Sequence, residues 1–172
     1  MWSRTRKSKL FAAPRKARGQ SGQSLLEVAL LLPLMLLLLL GSIDLGRYAY
    51  IAILVGNAAR AGAGYGAQNL AFSVDTTGIQ AAADNDYQNN GQNVSTLTVS
   101  SSVSCGCDSG GTVTTSGCST ATNPSAGICT SGHWVVMVSV TASGTYSALF
   151  NYPGIPSTMA VSRTVTMRVA QG

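Results

Sequence analysis

One long run of uncharged, mostly apolar residues near the N-terminus constrains this chain more than any other feature. From Val28 to Ile43 no charged residue interrupts the sequence, and Leu dominates. Counted from Leu25 the run has 19 residues, which in a helix span about 28 Å, close to the thickness of a bilayer's hydrocarbon core. The apolar part of an exported signal is shorter, at about 7–15 residues. We therefore expect a transmembrane helix over residues 23–43.

The distribution of charge predicts how this helix is oriented. Seven of the eleven Lys and Arg residues precede it, with no Asp or Glu among them. An excess of Lys and Arg marks the cytoplasmic side of a membrane helix, so residues 1–22 are expected to form a basic cytoplasmic leader; a nucleic-acid-binding tail and a solvated tail are the alternatives. From Gln23 onward four Arg stand against six acids. That net charge of −2 argues against nucleic acid as a partner of the body.

The helical pattern continues beyond the membrane, and residues 44–70 are predicted to extend the helix. Small and apolar residues there recur at helical spacing and form one stripe. Small residues allow another helix to approach closely, so we expect this stripe to pack against partner helices or against the domain's own sheet. The two are compatible along different parts of one long helix. Pro33, inside the apolar run, predicts a kink or a loosened turn. The stripe comprises Tyr48, Ile51, Ala52, Val55, Ala59 and Gly62.

Residues 71–172 predict a small extracytoplasmic domain of the α+β class. Apolar side chains four residues apart over residues 75–90 predict a short amphipathic helix, with Thr76 or Thr77 as its N-cap. Apolar residues alternating with Ser and Thr predict antiparallel strands. These strands are expected at 95–103, at 133–142, which would be central, and at 161–169. A loop is expected over 104–132 and a turn-rich segment over 146–156.

All four cysteines lie in the predicted external domain, where oxidation is permitted. Their even number predicts two disulfides, and the sequence does not choose the pairing. A Cys105–Cys107 bond would be strained, so each is expected to reach Cys118 or Cys129. A zinc site that includes His133 is the alternative, but the spacing lacks the paired CxxC motifs of common zinc sites. No metal is therefore expected.

The sequence contains no recognisable catalytic constellation. The single histidine, His133, has no acid near it in the sequence, and no Ser stands in a GxSxG or SxxK context. A phosphate-binding Gly loop is also absent from the sequence. We therefore expect no enzymatic activity, no cofactor and no small-molecule substrate.

A more specific pattern lies at the start of the apolar run. Gly22 is followed by Gln23, and Glu27 is the fifth residue after Gly22. This arrangement resembles the class III leader of type IV pilin-like proteins, which a prepilin peptidase cleaves after the Gly on the cytoplasmic face. An aromatic residue is common at the sixth position, where this chain has Val28. The resemblance implies cleavage between Gly22 and Gln23.

Residues 22–67 resemble the N-terminal region of TadE-like proteins, which are minor pilins or pseudopilins of the tight-adherence (Flp) pilus. The resemblance implies a single-pass protein of the bacterial inner membrane, whose partners are other pilins or pseudopilins, the prepilin peptidase and membrane lipid. The alternative is a permanently anchored binding or adhesion module outside any pilus. The matching features are Gly22-Gln23, Glu27, Pro33, the Leu run, Asp44-Leu45-Gly46-Arg47 and Asn57-Ala58-Ala59-Arg60.

Two charged sites have expected roles. An ionised side chain in hydrocarbon costs roughly 2.5–3.5 kcal/mol even on a lenient insertion scale, so Glu27 needs a partner or an interfacial position. The resemblance implies that Glu27 meets the N-terminal ammonium of a neighbouring subunit; extension of the side chain to the cytoplasmic interface is the alternative. Asp44 and Arg47, three apart on a helix, are expected to form an exposed pair at the outer membrane–water boundary.

Overall fold

The structure is a computed structural model that describes residues 21–116, 118, 129–150, 154 and 156–170. The leader up to residue 20, residues 117 and 119–128 of the predicted 104–132 loop, and residues 151–153 and 155 of the predicted turn lie outside these residues. The described part of that loop is not all loop, because β1 extends to Ser109 and β2 follows it. The chain divides into two compact units, Met1–Ser42 and Ile43–Gly172. Its elements are α1 (Ser21–Gly66), α2 (Leu70–Ser73), α3 (Thr76–Asn89), a 3₁₀ turn (Val94–Thr96), β1 (Leu97–Ser109), β2 (Thr112–Ser116), β3 (His133–Ser147) and β4 (Thr158–Arg168).

The part of the first unit that is described is one helical segment of α1. Every residue from 22 to 39 is exposed, and the apolar residues there leave at least half of each large side chain uncovered. Helix α1 is the candidate membrane span among the described residues, by its length and composition. It continues through Pro33 without interruption, because the missing N–H removes one hydrogen bond and leaves the others of the helix in place.

The second unit contains a four-stranded antiparallel sheet in the order β2-β1-β3-β4. The predicted α+β class is confirmed, as is the central position of β3. Strand β2 was not predicted, because its sequence TVTTS has too few apolar residues to show alternation. Two glycines with positive φ, Gly110 and Gly111, form the tight turn that joins β1 to β2, as is usual in hairpins.

Alternation along the strands gives the sheet one apolar face and one polar face. On the apolar face Val138, Val140 and Ala142 of β3 are fully buried. On the opposite face, hydroxyl side chains of β3 and β4 form hydrogen bonds of 2.7–2.9 Å across the strands. The polar face is therefore stabilised by direct hydrogen bonds between exposed side chains. The three pairs are Ser139 with Thr166, Thr141 with Thr164, and Ser143 with Ser162.

The second half of α1 and helix α3 cover the apolar face. Val55, Ala58 and Ala59 have no exposed surface and form one core cluster with Tyr87 of α3. A Cβ added at Gly62 would lie 3.1 Å from the carbonyl oxygen of Ile79 and 3.2 Å from Cγ1 of Val140. The small residues of the predicted stripe thus allow α1 to approach the domain's own sheet. This is the second of the two interpretations that the sequence left open, and it applies to the buried part of the stripe, Ala52, Val55, Ala59 and Gly62.

The N-cap of α3 is Asp75, so the prediction of Thr76 or Thr77 was wrong. The Oδ1 atom of Asp75 accepts a hydrogen bond from the backbone N–H of Gly78 at 2.9 Å. Its Oδ2 atom accepts one from the hydroxyl of Tyr65, also at 2.9 Å. An ionised carboxylate is a stronger acceptor than a hydroxyl, and here it links α1 to the start of α3.

The charge on Asp75 should make the stability of the domain depend on pH. The N–H of Gly78, and then the hydroxyl of Tyr65, lower the pKa of this carboxyl below its ordinary 3.8. A lowered pKa in the folded state gives stability above pH 3.8 that is lost as the pH falls toward the folded value. The variant Asp75→Asn keeps an accepting oxygen without the charge. Between pH 5 and pH 3 its melting temperature should fall less than that of the unmodified protein. Thermal unfolding followed by circular dichroism measures this, and equal falls in both proteins would contradict it.

Candidate functional site

The predicted processing and assembly residues lie together on the first turns of α1. Gly22, Gln23 and Glu27 are all exposed, and a side chain at Gly22 would meet nothing within 4 Å. Gln23 and Glu27 are four residues apart, so their Cα atoms are separated by about 6 Å along the helix axis. An α-ammonium created at Gln23 would therefore lie one turn from Glu27. The cleavage site and the role of Glu27 stay predictions.

The side chain of Glu27 forms no ion pair with any other residue that the structure describes. The neighbouring side chains Leu26, Val28 and Leu30 are apolar and more than half exposed. Within a bilayer this surface suits hydrocarbon, while the carboxylate does not. Glu27 is thus an exposed acidic group beside apolar side chains, and its expected partner or interfacial position stays a prediction.

Asp44 and Arg47 form an ion pair, but Asp44 is not exposed as was predicted. Its residue surface is only 8% exposed, and its Oδ1 atom accepts hydrogen bonds from the Tyr146 hydroxyl at 2.8 Å and the Leu149 N–H at 3.1 Å. Arg47 is more distant, with 3.5 Å between its guanidinium nitrogen and the same oxygen. The carboxylate is buried because Tyr146, near the end of β3, and Leu149, just after it, lie against it. The position of the Asp44–Arg47 pair at the membrane boundary stays a prediction.

Aromatic rings surround this buried carboxylate. The rings of Tyr48 and Tyr146 meet edge to face, with 5.6 Å between their centroids. The guanidinium carbon of Arg47 lies 5.7 Å from the centroid of the Tyr146 ring, in a cation–π contact. Asp44, Arg47, Tyr48 and Tyr146 thus form one cluster, which we call the boundary cluster. Sequence reasoning missed Tyr146, because it lies 102 residues from Asp44 and carries no local signal.

The four cysteines form two disulfides, as predicted. Cys105 of β1 is bonded to Cys118, and Cys107 of the same strand is bonded to Cys129. Cys105 and Cys107 lie two residues apart on β1, so their Cβ atoms point to the same face. Both disulfides therefore attach the segment between β2 and β3 to one strand of the sheet. Among the described residues no cluster of His, Cys, Asp and Glu could hold a metal ion.

His133 opens β3 directly opposite Asp108 of β1. The acid that is missing near His133 in the sequence is thus supplied by the neighbouring strand, with 3.7 Å between Nε2 and the carboxylate oxygen. Arg168 of β4 lies closer to that oxygen, at 3.1 Å. The histidine side chain is 64% exposed. This is an exposed cross-strand charge cluster at the end of the sheet.

The face of α1 that does not cover the sheet lines a groove of about 550 Å³ along β4. Leu45, Ala49 and Ile53 contribute its apolar wall. Arg60 and Arg163 also line it, and neither forms an ion pair with an acid in the part of the chain that the structure describes. The groove is therefore apolar and basic, with no carboxylate to neutralise it.

Comparison with known proteins agrees with the pattern on α1. The family model described as TadE-like protein matches residues 22–64, a segment that contains Gly22, Glu27, Asp44 and Arg60. No curated protein and no solved structure matches the chain. The resemblance that the sequence showed is thus confirmed over residues 22–64, where the chain is similar to TadE-like proteins.

Proposed function

We infer that this protein is a minor pilin or pseudopilin of a tight-adherence pilus system, held in the inner membrane by α1 until it assembles. The match to the TadE-like family supports an association with such a pilus. The observation that carries the finer proposal is the exposed apolar surface of residues 25–39, in which Glu27 is the one charged side chain. In this proposal the protein acts by packing and not by catalysis.

The partners would bind through two surfaces of α1. The first is the apolar run with Glu27, which would contact the helices of other pilins or pseudopilins. The second is the uncovered face beyond the run, where Leu45 and Ile53 are 68% and 59% exposed. The buried part of the stripe is excluded from this role because it packs on the sheet. The prepilin peptidase would act first, at the bond between Gly22 and Gln23.

The alternative, a permanently anchored binding or adhesion module, has one observation in its favour. The disulfides attach the segment between β2 and β3 to the sheet, as would suit a loop that contacts a ligand or surface. That module would keep its leader and would have no need of a charge at Glu27.

Cleavage after Gly22 separates the two proposals. In cells with an active prepilin peptidase, the mature protein should begin at Gln23, since Glu27 is the fifth residue after Gly22. Intact-mass spectrometry of the membrane-extracted protein measures this. Replacing Gly22 with Val should retain the leader, whereas the matched change Gly19→Val should not, because the fifth residue after Gly19 is Ser24. An intact leader in the unmodified protein would contradict the proposed function.

A further inference from the structure

Four large apolar side chains around the boundary cluster are exposed. Two belong to α1 and two to the segment that follows β3, and the structure brings them together although Leu149 is 105 residues from Asp44. Exposed apolar side chains gathered around one point of the surface are typical of a binding surface. The exposed fractions are 45% for Ile43, 68% for Leu45, 57% for Leu149 and 43% for Phe150.

The position of this patch along the chain identifies what could cover it. The apolar run ends at Ile43, so Asp44 lies about 1.5 Å along the helix axis from the end of the expected span. The N–H of Leu149 donates to the Asp44 carboxylate at 3.1 Å. This hydrogen bond holds the segment after β3 beside the residues of α1 at which the expected membrane span ends.

The polar groups of the boundary cluster also suit a membrane–water interface. Tyr side chains are enriched there because the ring prefers the hydrocarbon edge and the hydroxyl prefers a polar partner. Tyr146 is itself buried, and its ring contacts Tyr48 while its hydroxyl donates to Asp44, so it fixes the residues at this level of the helix. The side chain of Arg47 is 45% exposed, which leaves its guanidinium able to bind a lipid phosphate.

We propose that Leu149 and Phe150 insert into the interface of the outer leaflet, as a second membrane contact beside α1. Lipid is the occupant of the exposed patch, and the buried Asp44 is the residue that positions this contact. The proposal rests on the membrane anchoring of α1 and not on pilus assembly. A subunit that enters a pilus would have to release this contact as well as its helix.

The test is fluorescence of single-tryptophan variants of the full chain in phosphatidylcholine vesicles. Trp2 and Trp134 are first replaced by Phe, and one tryptophan is then introduced as Phe150→Trp or Leu149→Trp. The matched control is Ile53→Trp, which is equally exposed at 59% but lies about 15 Å further along the helix from Ile43. Lipid brominated on its acyl chains close to the headgroup should quench the tryptophans at 149 and 150 several-fold more strongly than the one at 53.

Two results would overturn the proposal. Quenching at positions 149 and 150 no stronger than at 53 would place the patch in water. A blue-shifted emission without quenching would place it against protein. Both test positions are exposed, so neither variant should disturb the core, and agreement between them excludes a local misfolding effect. Retention or loss of the leader does not bear on this measurement, so it can fail while the proposed function stands.

Discussion

Replacing Glu27 with Ala should reduce incorporation of the protein into the pilus by about 100-fold while leaving it in the membrane. An ionised carboxylate in hydrocarbon costs about 2.5–3.5 kcal/mol, and a neighbouring ammonium in the assembly would remove most of that cost. Such a difference in free energy corresponds to about two orders of magnitude in an equilibrium. Alanine carries no charge. Packing beside a neighbouring ammonium therefore no longer lowers the free energy of the assembled helices relative to other arrangements. The amount of protein in sheared pili, compared with the amount in the membrane, measures the effect.

Two variants serve as controls for this result. Leu31→Ala changes an equally exposed side chain on the same helix and should assemble almost as well as the unmodified protein. Glu27→Gln keeps the size and the hydrogen-bonding capacity without the charge, and should fail as Glu27→Ala does. If Glu27→Ala enters pili normally, the carboxylate only extends to the cytoplasmic interface, and the assembly role of Glu27 is wrong.

Removing both disulfides should unfold the C-terminal domain at growth temperature. The bonds close loops with sequence separations of 13 and 22 residues, and closing a loop of about 15 residues contributes about 3 kcal/mol. The loops overlap, so their joint contribution is less than the sum, but it approaches the stability of a marginal domain, about 5 kcal/mol. Alanine is the suitable replacement because Cys105 is fully buried and a serine hydroxyl there would lack a partner.

Protease resistance of the membrane-bound protein measures this loss. The variant with all four cysteines replaced by Ala should be digested rapidly beyond α1, and each two-cysteine variant should show an intermediate rate. A reducing agent should produce the same sensitivity in the unmodified protein and no further change in the four-alanine variant. Unchanged protease resistance in that variant would show that the hydrophobic core over β3 keeps the domain folded without the disulfides.

The main elements of this fold could be predicted because their patterns are local. The apolar run predicts the long helix, and the alternation along β1, β3 and β4 predicts a sheet with one buried face. Strand β2 was missed because its own residues show no alternation. It forms a strand by pairing with β1. The N-cap at Asp75 was also missed, because the two threonines after it carry the same preference and only the contact with Tyr65 favours the acid.

The candidate site could be predicted only where its residues lie close together in the sequence. Gly22 and Glu27 are recognised by their spacing on one helix, and the family match covers the same residues. The burial of Asp44 could not be predicted, because it depends on Tyr146 and Leu149 from the far end of β3. Considered alone, Asp44 and Arg47 suggested a surface pair. Once the chain folds, the carboxylate becomes the attachment point of a distant segment.

In the proposed function, α1 assembles with other pilin-like helices through its apolar run. A photo-crosslinking amino acid at Leu34, an exposed position of that run, tests it most directly in living cells. Mass spectrometry of the products should identify the N-terminal helices of other pilins or pseudopilins, and Glu27→Ala should remove those products. Products formed only with lipid, or the same protein products with and without Glu27, would contradict the claim.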